Sequence, residues 1–138
     1  MLDWLDREMY PFEPHYFESD AGRMHYVDEG SGPPVVLIHG TPTWSFMYRR
    51  FIKILALDHR VIAPDNLGFG LSDKPEIAPY RPADHAARLK QLIEALALRN
   101  ITLVVHDFGG SIGLPYALDE ADNIKRLVLL NTWMWSLR

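Results

Sequence analysis

The apolar residues of this chain concentrate in four short runs with little polar interruption. They are "PVVLIHG" (34–40), "HRVIAP" (59–64), "ITLVVH" (101–106) and "IKRLVLLN" (124–131). Unalternated runs of this length predict strands buried on both faces of a parallel sheet. The intervening stretches carry helical spacing instead. "TWSFMYRRFIKILAL" (43–57) sets Trp44, Met47, Tyr48, Phe51 and Leu55 on one stripe. "ADHAARLKQLIEALAL" (83–98) does the same with Leu89, Leu92, Ile93 and Leu96, and Asp84 offers a polar start. "GGSIGLPYALDEA" (109–121) predicts a third helix, entered through glycines. Pro115 is tolerated there if it falls in or near the first turn. Upstream, "PHYFES" and "RMHYVDEG" predict two strands around a turn at Asp20–Gly22, and the segment before Phe12 reads as an arm.

Strands alternating with helices predict an α/β fold with a mostly parallel sheet and right-handed crossovers. No repeat, linker or low-complexity tract divides the 138 residues, so the expectation is a single core domain over 1–138. The last apolar run lies just before the C-terminus. With nothing beside it, "RLVLLN" forms an exposed edge, which is an aggregation liability. The expectation is therefore a partial domain, truncated after its sixth strand, with self-association through that strand.

Composition narrows the function classes. With 48% hydrophobic residues the chain has ample material for a core. A net charge of −4 with scattered basic residues argues against a nucleic-acid partner. Cysteine is absent, which removes thiolate chemistry and disulfides. The N-terminal "MLDWLDREMYPFEPHYF" has no apolar core of a signal peptide, and no run is long enough for a membrane span. A cytoplasmic protein without a membrane partner is the expectation.

The chemistry centres on "VVHDFGGSIG" (104–113), an apolar strand running through a tight turn into a helix. Such a turn places its central side chain at the carboxyl end of the sheet, where open α/β folds bind ligands. That side chain is Asp107. A carboxylate, unlike a serine hydroxyl, is a nucleophile at neutral pH without a base. The helix N-terminus brings amide donors and partial positive charge beside it. An oxyanion formed there needs two amide donors, one from Phe108, the residue after Asp107. "HGTPTW" (39–44), on the loop after an earlier strand, offers the second at Thr41.

"HGTPTWSFMYR", "IAPDNLGFGLSDKP", "VVHDFGGSIGL" and "RLVLLNTWMW" together resemble, in order and spacing, the N-terminal half of an α/β-hydrolase-fold enzyme. The resemblance is to the aspartate-nucleophile branch, most similar to the haloalkane dehalogenases, and it covers the chain from Tyr16 onward. It implies that Asp107 is the nucleophile and that the Thr41 and Phe108 amides form the oxyanion hole. It implies an alkyl ester on Asp107 that water hydrolyses, a small apolar substrate and no cofactor. The family's cap domain, catalytic histidine and partner acid lie outside this stretch. The sixth-strand acid position falls near Asn131, which is not an acid. Phe108 also stands where the dehalogenases carry a tryptophan whose N–H holds the halide, and Thr41 where one branch carries asparagine. The alternatives are an epoxide or ester hydrolase of the same fold and a catalytically silent truncated product.

The remaining candidates are weighed against blander roles. By strand alternation His106 points away from the nucleophile. His39 supports its loop through hydrogen bonds, and Asp65 shapes the following loop rather than acting as an acid. His15, His25, His59 and His85 read as ordinary strand or surface residues, and no metal-binding spacing exists. Ser111 fits G-x-S-x-G literally but falls inside the helix, where a nucleophile elbow cannot be. "GFGLSD" lacks the third glycine of a dinucleotide fingerprint. Trp44 and Phe108 are assigned to a substrate pocket. For Trp133 and Trp135, pocket and core remain open.

Overall fold

The computed structural model describes residues 3–135. All four apolar runs are strands, and the two upstream segments form a hairpin. In chain order the strands are β1 (His15–Glu18), β2 (Arg23–Glu29), β3 (Pro34–Ile38), β4 (Arg60–Pro64), β5 (Ile101–Asp107) and β6 (Ile124–Thr132). The helices are α1 (Arg49–Leu55), α2 (Pro82–Ala95) and α3 (Gly109–Asp119). One sheet runs in the order β1-β2-β4-β3-β5-β6. The β1–β2 and β2–β4 pairs are antiparallel; the other three are parallel.

Strand alternation sorts the core into two layers. Val36, Ile38, Ile62, Leu103 and Val105 pack under Leu89 and Ile93 of α2 and Ile112 of α3. Val35, Leu37, Val61, Ala63 and Val104 face the other way, against Tyr48, Ile52 and the N-terminal arm, which contributes Leu5, Tyr10 and Phe12. By the same parity Asp107 shares the α2/α3 face with Leu103 and Val105, and His106 shares the opposite face with Val104.

Two expectations need correction. The segment 43–57 is not one helix. Trp44 is extended, Ser45–Tyr48 is a 3₁₀ turn and only then does α1 begin. Three residues per turn in that first piece shift the buried stripe to Ser45, Tyr48 and Ile52. Phe51, expected inside, is 51% exposed. Pro115 lies beyond the first turn of α3, inside the helix. It withholds the amide that would bond the Ser111 carbonyl, and its neighbours hold α3 helical regardless.

α2 starts as the sequence predicts. Pro82 occupies its first turn, and Asp84 accepts the Arg81 N–H at 3.0 Å. β6 lies at the sheet edge with Leu127, Val128 and Leu129 exposed. Beside it, on the α1 side, runs an apolar groove of about 430 Å³ that includes Val35, Leu37, Phe51, Val104, Val128 and Leu130.

An ion pair buried on its Arg88 side ties the hairpin to α2. Arg88 is 1% exposed, and its Nε donates to Asp20 in the β1–β2 turn at 2.8 Å. Its two terminal nitrogens have no partner among the described residues. Asp20 itself is half-exposed. Asp20→Ala strands a buried cation, which costs about 2 kcal/mol here, below the usual ~3–5 because solvent reaches the Asp20 side. Arg88→Met fills the same space without a charge and costs less. Urea unfolding of the two variants should show this asymmetry; equal losses would mean that packing, not the unpaired charge, dominates.

Candidate active site

β5 carries its apolar run up to Asp107 and stops there, because Asp107 adopts φ +52°. A non-glycine residue in this region is strained, and such residues cluster at functional sites. The turn hands the chain directly to α3 at Gly109. A Cβ on Gly109 would lie 2.5 Å from the Ile38 carbonyl, so glycine lets α3 start hard against β3.

The Asp107 carboxylate sits under two backbone amides. Its Oδ2 accepts the Thr41 N–H at 3.1 Å and the Phe108 N–H at 2.6 Å. Its Oδ1 accepts no hydrogen bond among the described residues. Gly40 makes this approach possible: a Cβ there would stand 2.6 Å from Oδ2. Thr41, Asp107 and Phe108, selected from three separate positions in two loops, thus meet at one oxygen.

Buried polar contacts hold the Thr41 loop. The Gly40 carbonyl accepts from His39 Nδ1 at 2.8 Å and from the Thr43 hydroxyl at 2.8 Å. His39 Nε2 accepts the Asn66 N–H at 2.9 Å, which fixes the neutral tautomer with its proton on Nδ1. Burial lowers the His39 pKa further, opposed by the Gly40 bond. Both nitrogens are committed, so His39 is a tether between loops. No hydrogen bond among the described residues joins the His106 ring to Asp107. Its Nδ1 is buried without a partner among the described residues.

Asp65 organises the neighbouring loop, as expected. Oδ1 accepts the Ser45 N–H at 2.7 Å, and Oδ2 accepts the Leu71 N–H at 2.9 Å and His25 Nδ1 at 3.0 Å. Burial alone would raise this carboxyl. The His25 bond and charge, with the two amides, outweigh it and hold Asp65 below the usual carboxylate range. His25 is therefore no ordinary strand histidine but the buried partner of Asp65. The sequence pattern carries no signal of a pair 40 residues apart.

The side chains beside Asp107 open onto a cavity of about 470 Å³. Thr41, Asn66, Phe69, Tyr80, His85 and Phe108 are among the residues that line it. Phe108 is where the sequence places it, with its ring edge-to-face on Trp133 at 5.9 Å. Trp44 is not among the lining residues; its ring packs on Phe46, Tyr10 and Trp4. Trp135 is exposed. The Ser111 hydroxyl contacts the Trp133 carbonyl at 3.5 Å and lies on α3, away from the elbow.

Several lining residues escape the sequence reading, among them His85 and Asn66. His85, expected among strand or surface residues, is buried in α2. Its spacing four residues before Leu89 and seven before Leu92 is the overlooked signal. Asn66 is 3% exposed, and its side-chain amide makes no hydrogen bond among the described residues, which leaves it uncommitted on the cavity wall.

Burial, helped by the nearby Arg88 charge, pushes the His85 pKa down to about 4. The unfolded chain takes up that proton near pH 6.5, so it binds more protons than the native state between pH 6.5 and 4. Stability therefore falls as pH drops through this window. From pH 7 to pH 5 the loss due to His85 is about 2 kcal/mol. Unfolding titrations at the two pH values should show it in the parent chain, and His85→Leu should remove most of it. An unchanged pH slope in the variant would contradict a neutral buried His85.

Comparison with known proteins places this geometry. Residues 33–137 match the family model described as alpha/beta hydrolase fold. Haloalkane dehalogenase 2 of Mycobacterium tuberculosis is 45% identical over 130 residues, 94% of this chain and 46% of that protein. A cis-3-alkyl-4-alkyloxetan-2-one decarboxylase of Shewanella oneidensis is 44% identical over 143 residues, 99% of this chain and 43% of that protein. The tetrameric haloalkane dehalogenase DpaA of Paraglaciecola agarilytica NO2 superposes with a TM-score of 0.86 at 38% identity, covering 96% of this chain and 50% of its own. The chain spans about half the length of the curated relatives it matches. On the matched family model, the sheet order and the elbow at the end of β5, the chain belongs to the α/β-hydrolase fold family.

Proposed function

We propose that this chain carries the nucleophilic half of a haloalkane dehalogenase-like hydrolase, with Asp107 attacking a saturated carbon. One observation supports this above the rest: two amides converge on Oδ2 of Asp107 while Oδ1 stays free. On this reading Oδ1 attacks carbon, the carbon–halogen bond breaks, and the halide leaves with the bonding pair. The product is an alkyl ester whose carbonyl oxygen, Oδ2, already sits under both amides. Water attack on that ester then develops negative charge at an oxygen whose donors are in place. The aromatic lining of the cavity suits a small apolar substrate, and a cytoplasmic setting fits the cysteine-free composition.

Phe108 favours a second electrophile. Its ring has no N–H for a departing halide, and Thr41 has already given its amide to Asp107. A strained cyclic ester or epoxide keeps its leaving oxygen tethered: the ester leaves as a carboxylate, the epoxide as an alkoxide that takes up a proton, and neither needs a halide cradle. The similarity to an oxetanone decarboxylase over nearly the whole chain points the same way.

Intact-mass spectrometry separates these readings. Incubation with 1-bromohexane should replace one proton by one hexyl group, mapped to Asp107 and absent in Asp107→Asn. A strained ring adds its entire mass instead. Adduct with a ring electrophile but none with bromohexane selects the second reading. A folded chain that gains no mass from either refutes both.

Self-association through β6 belongs to the same proposal, supported by the exposed Leu127 and Leu129 on the strand at the sheet edge among the described residues. Size-exclusion chromatography should show species larger than a monomer that grow with concentration. The double substitution Leu127→Lys, Leu129→Glu should return the monomer. A parent chain that stays monomeric at high concentration contradicts this.

A further inference from the structure

The end of β6 carries a contact that the elbow chemistry does not account for. β5 and β6 pair in step from Thr102↔Arg126 through His106↔Leu130, and the next pair is Asp107↔Thr132. Asn131 is therefore an extra residue on one strand, a β-bulge, and its φ of +39° is the backbone signature of it. Bulges re-aim side chains near functional sites. Here the re-aimed residue is Thr132, whose hydroxyl donates to the main-chain carbonyl of Asp107 at 2.6 Å. A Cβ on Gly110 would collide with Thr132 Oγ1 and stand 2.5 Å from the Trp133 carbonyl. So the first turn of α3 lies directly on this clamp.

We propose that Thr132 is a positioning residue for Asp107. This rests on the reading of Asp107 as nucleophile. Asp107 holds φ +52°, a conformation from which an unrestrained aspartate relaxes. Rotation about its backbone would swing the carboxylate from under the Thr41 and Phe108 amides. The side chain is anchored by those two amides, and Thr132 anchors the carbonyl on the other side of the same Cα. The Thr132 hydroxyl is the side-chain donor to this carbonyl among the described residues. The carbonyl sits where β5 gives way to the turn, and the register jump leaves Asn131 out of step with it. Without the bulge, Asn131 would stand opposite Asp107, so the bulge serves to deliver Thr132.

The test is the rate of Asp107 alkylation by 1-bromohexane, followed by intact mass over a range of concentrations. Thr132→Val keeps the side-chain volume and removes the donor; Thr132→Ser keeps the donor. The valine variant should lower the limiting rate about tenfold, the factor one hydrogen bond carries, with half-saturation unchanged. The serine variant should recover most of the rate. A merely structural role predicts no such split between limiting rate and half-saturation, and no rescue. Hydrogen exchange supplies a readout that needs no reaction. Thr132→Val should speed exchange at the Phe108 and Gly109 amides while sparing Leu103–Val105. Normal alkylation or unchanged exchange in a folded Thr132→Val chain overturns the clamp. A parent chain that is alkylated by neither bromohexane nor a strained ring, yet loses elbow protection in the valine variant, upholds the clamp and defeats the nucleophile reading instead.

Discussion

Two backbone amides aimed at one carboxylate oxygen set the demands that the rest of this structure meets. The Thr41 amide comes from a loop 66 residues before Asp107 in the chain, and the Phe108 amide from the residue directly after it. Both must arrive at Asp107 Oδ2 with their protons pointing inward. That requires a residue without a Cβ at Gly40, a strand that ends in a strained residue at Asp107, and a helix that begins immediately afterwards. The parallel pairing of β3 with β5 brings the two loops to the same end of the sheet. The burial of Val36, Ile38, Leu103 and Val105 fixes their register.

The polar groups beneath the site serve this geometry. His39 binds its own loop through Nδ1 and the β4 loop through Nε2, so two loops move as one body. Asp65 ties the β4 loop to Ser45, at the start of the segment that follows Thr41. It also reaches back to His25 on β2. Each of these groups is fully enclosed by the fold, where an unmade hydrogen bond costs about 1–3 kcal/mol. The network therefore specifies one loop arrangement rather than adding much net stability. This gives Asp65 and His39 purpose without any part in proton transfer.

What the sequence made legible follows from how each feature is encoded. Strands buried on both faces write themselves as apolar runs, so β3, β4, β5 and β6 are plain. The elbow is equally local, because His106–Gly110 holds strand end, strained residue and helix start in five positions. Thr41 and Phe108 follow once the elbow is placed. Features that depend on distant partners left no such trace. Ser45 is drawn into a 3₁₀ turn by Asp65, which moves the buried stripe from Phe51 to Ile52. Trp44 then turns toward Tyr10 and the N-terminal arm and away from the cavity. Asn66 and His85 reach the cavity wall only because a loop and a helix fold over the same end of the sheet. The bulge at Asn131 leaves only a faint trace in residue type, since asparagine tolerates positive φ better than most residues but occurs widely elsewhere.

The position of Asp107 also bears on which reactions the proposed site could begin. In a serine hydrolase the amide pair waits empty for an oxygen that the substrate brings. Here the pair is filled by an oxygen of the chain's own Asp107. A substrate whose first step creates its own oxyanion would have to evict Oδ2 from both amides. A substrate attacked at saturated carbon makes no such demand, because its leaving group departs on the far side. The amides then act in the second step, when the ester carbonyl formed from Oδ2 is attacked and its charge grows in place. On the proposed reading, a carboxylate at this elbow is thus suited to alkyl transfer followed by hydrolysis. It is ill suited to direct attack on an ordinary carbonyl, and a strained ring qualifies only if it opens at its saturated carbon.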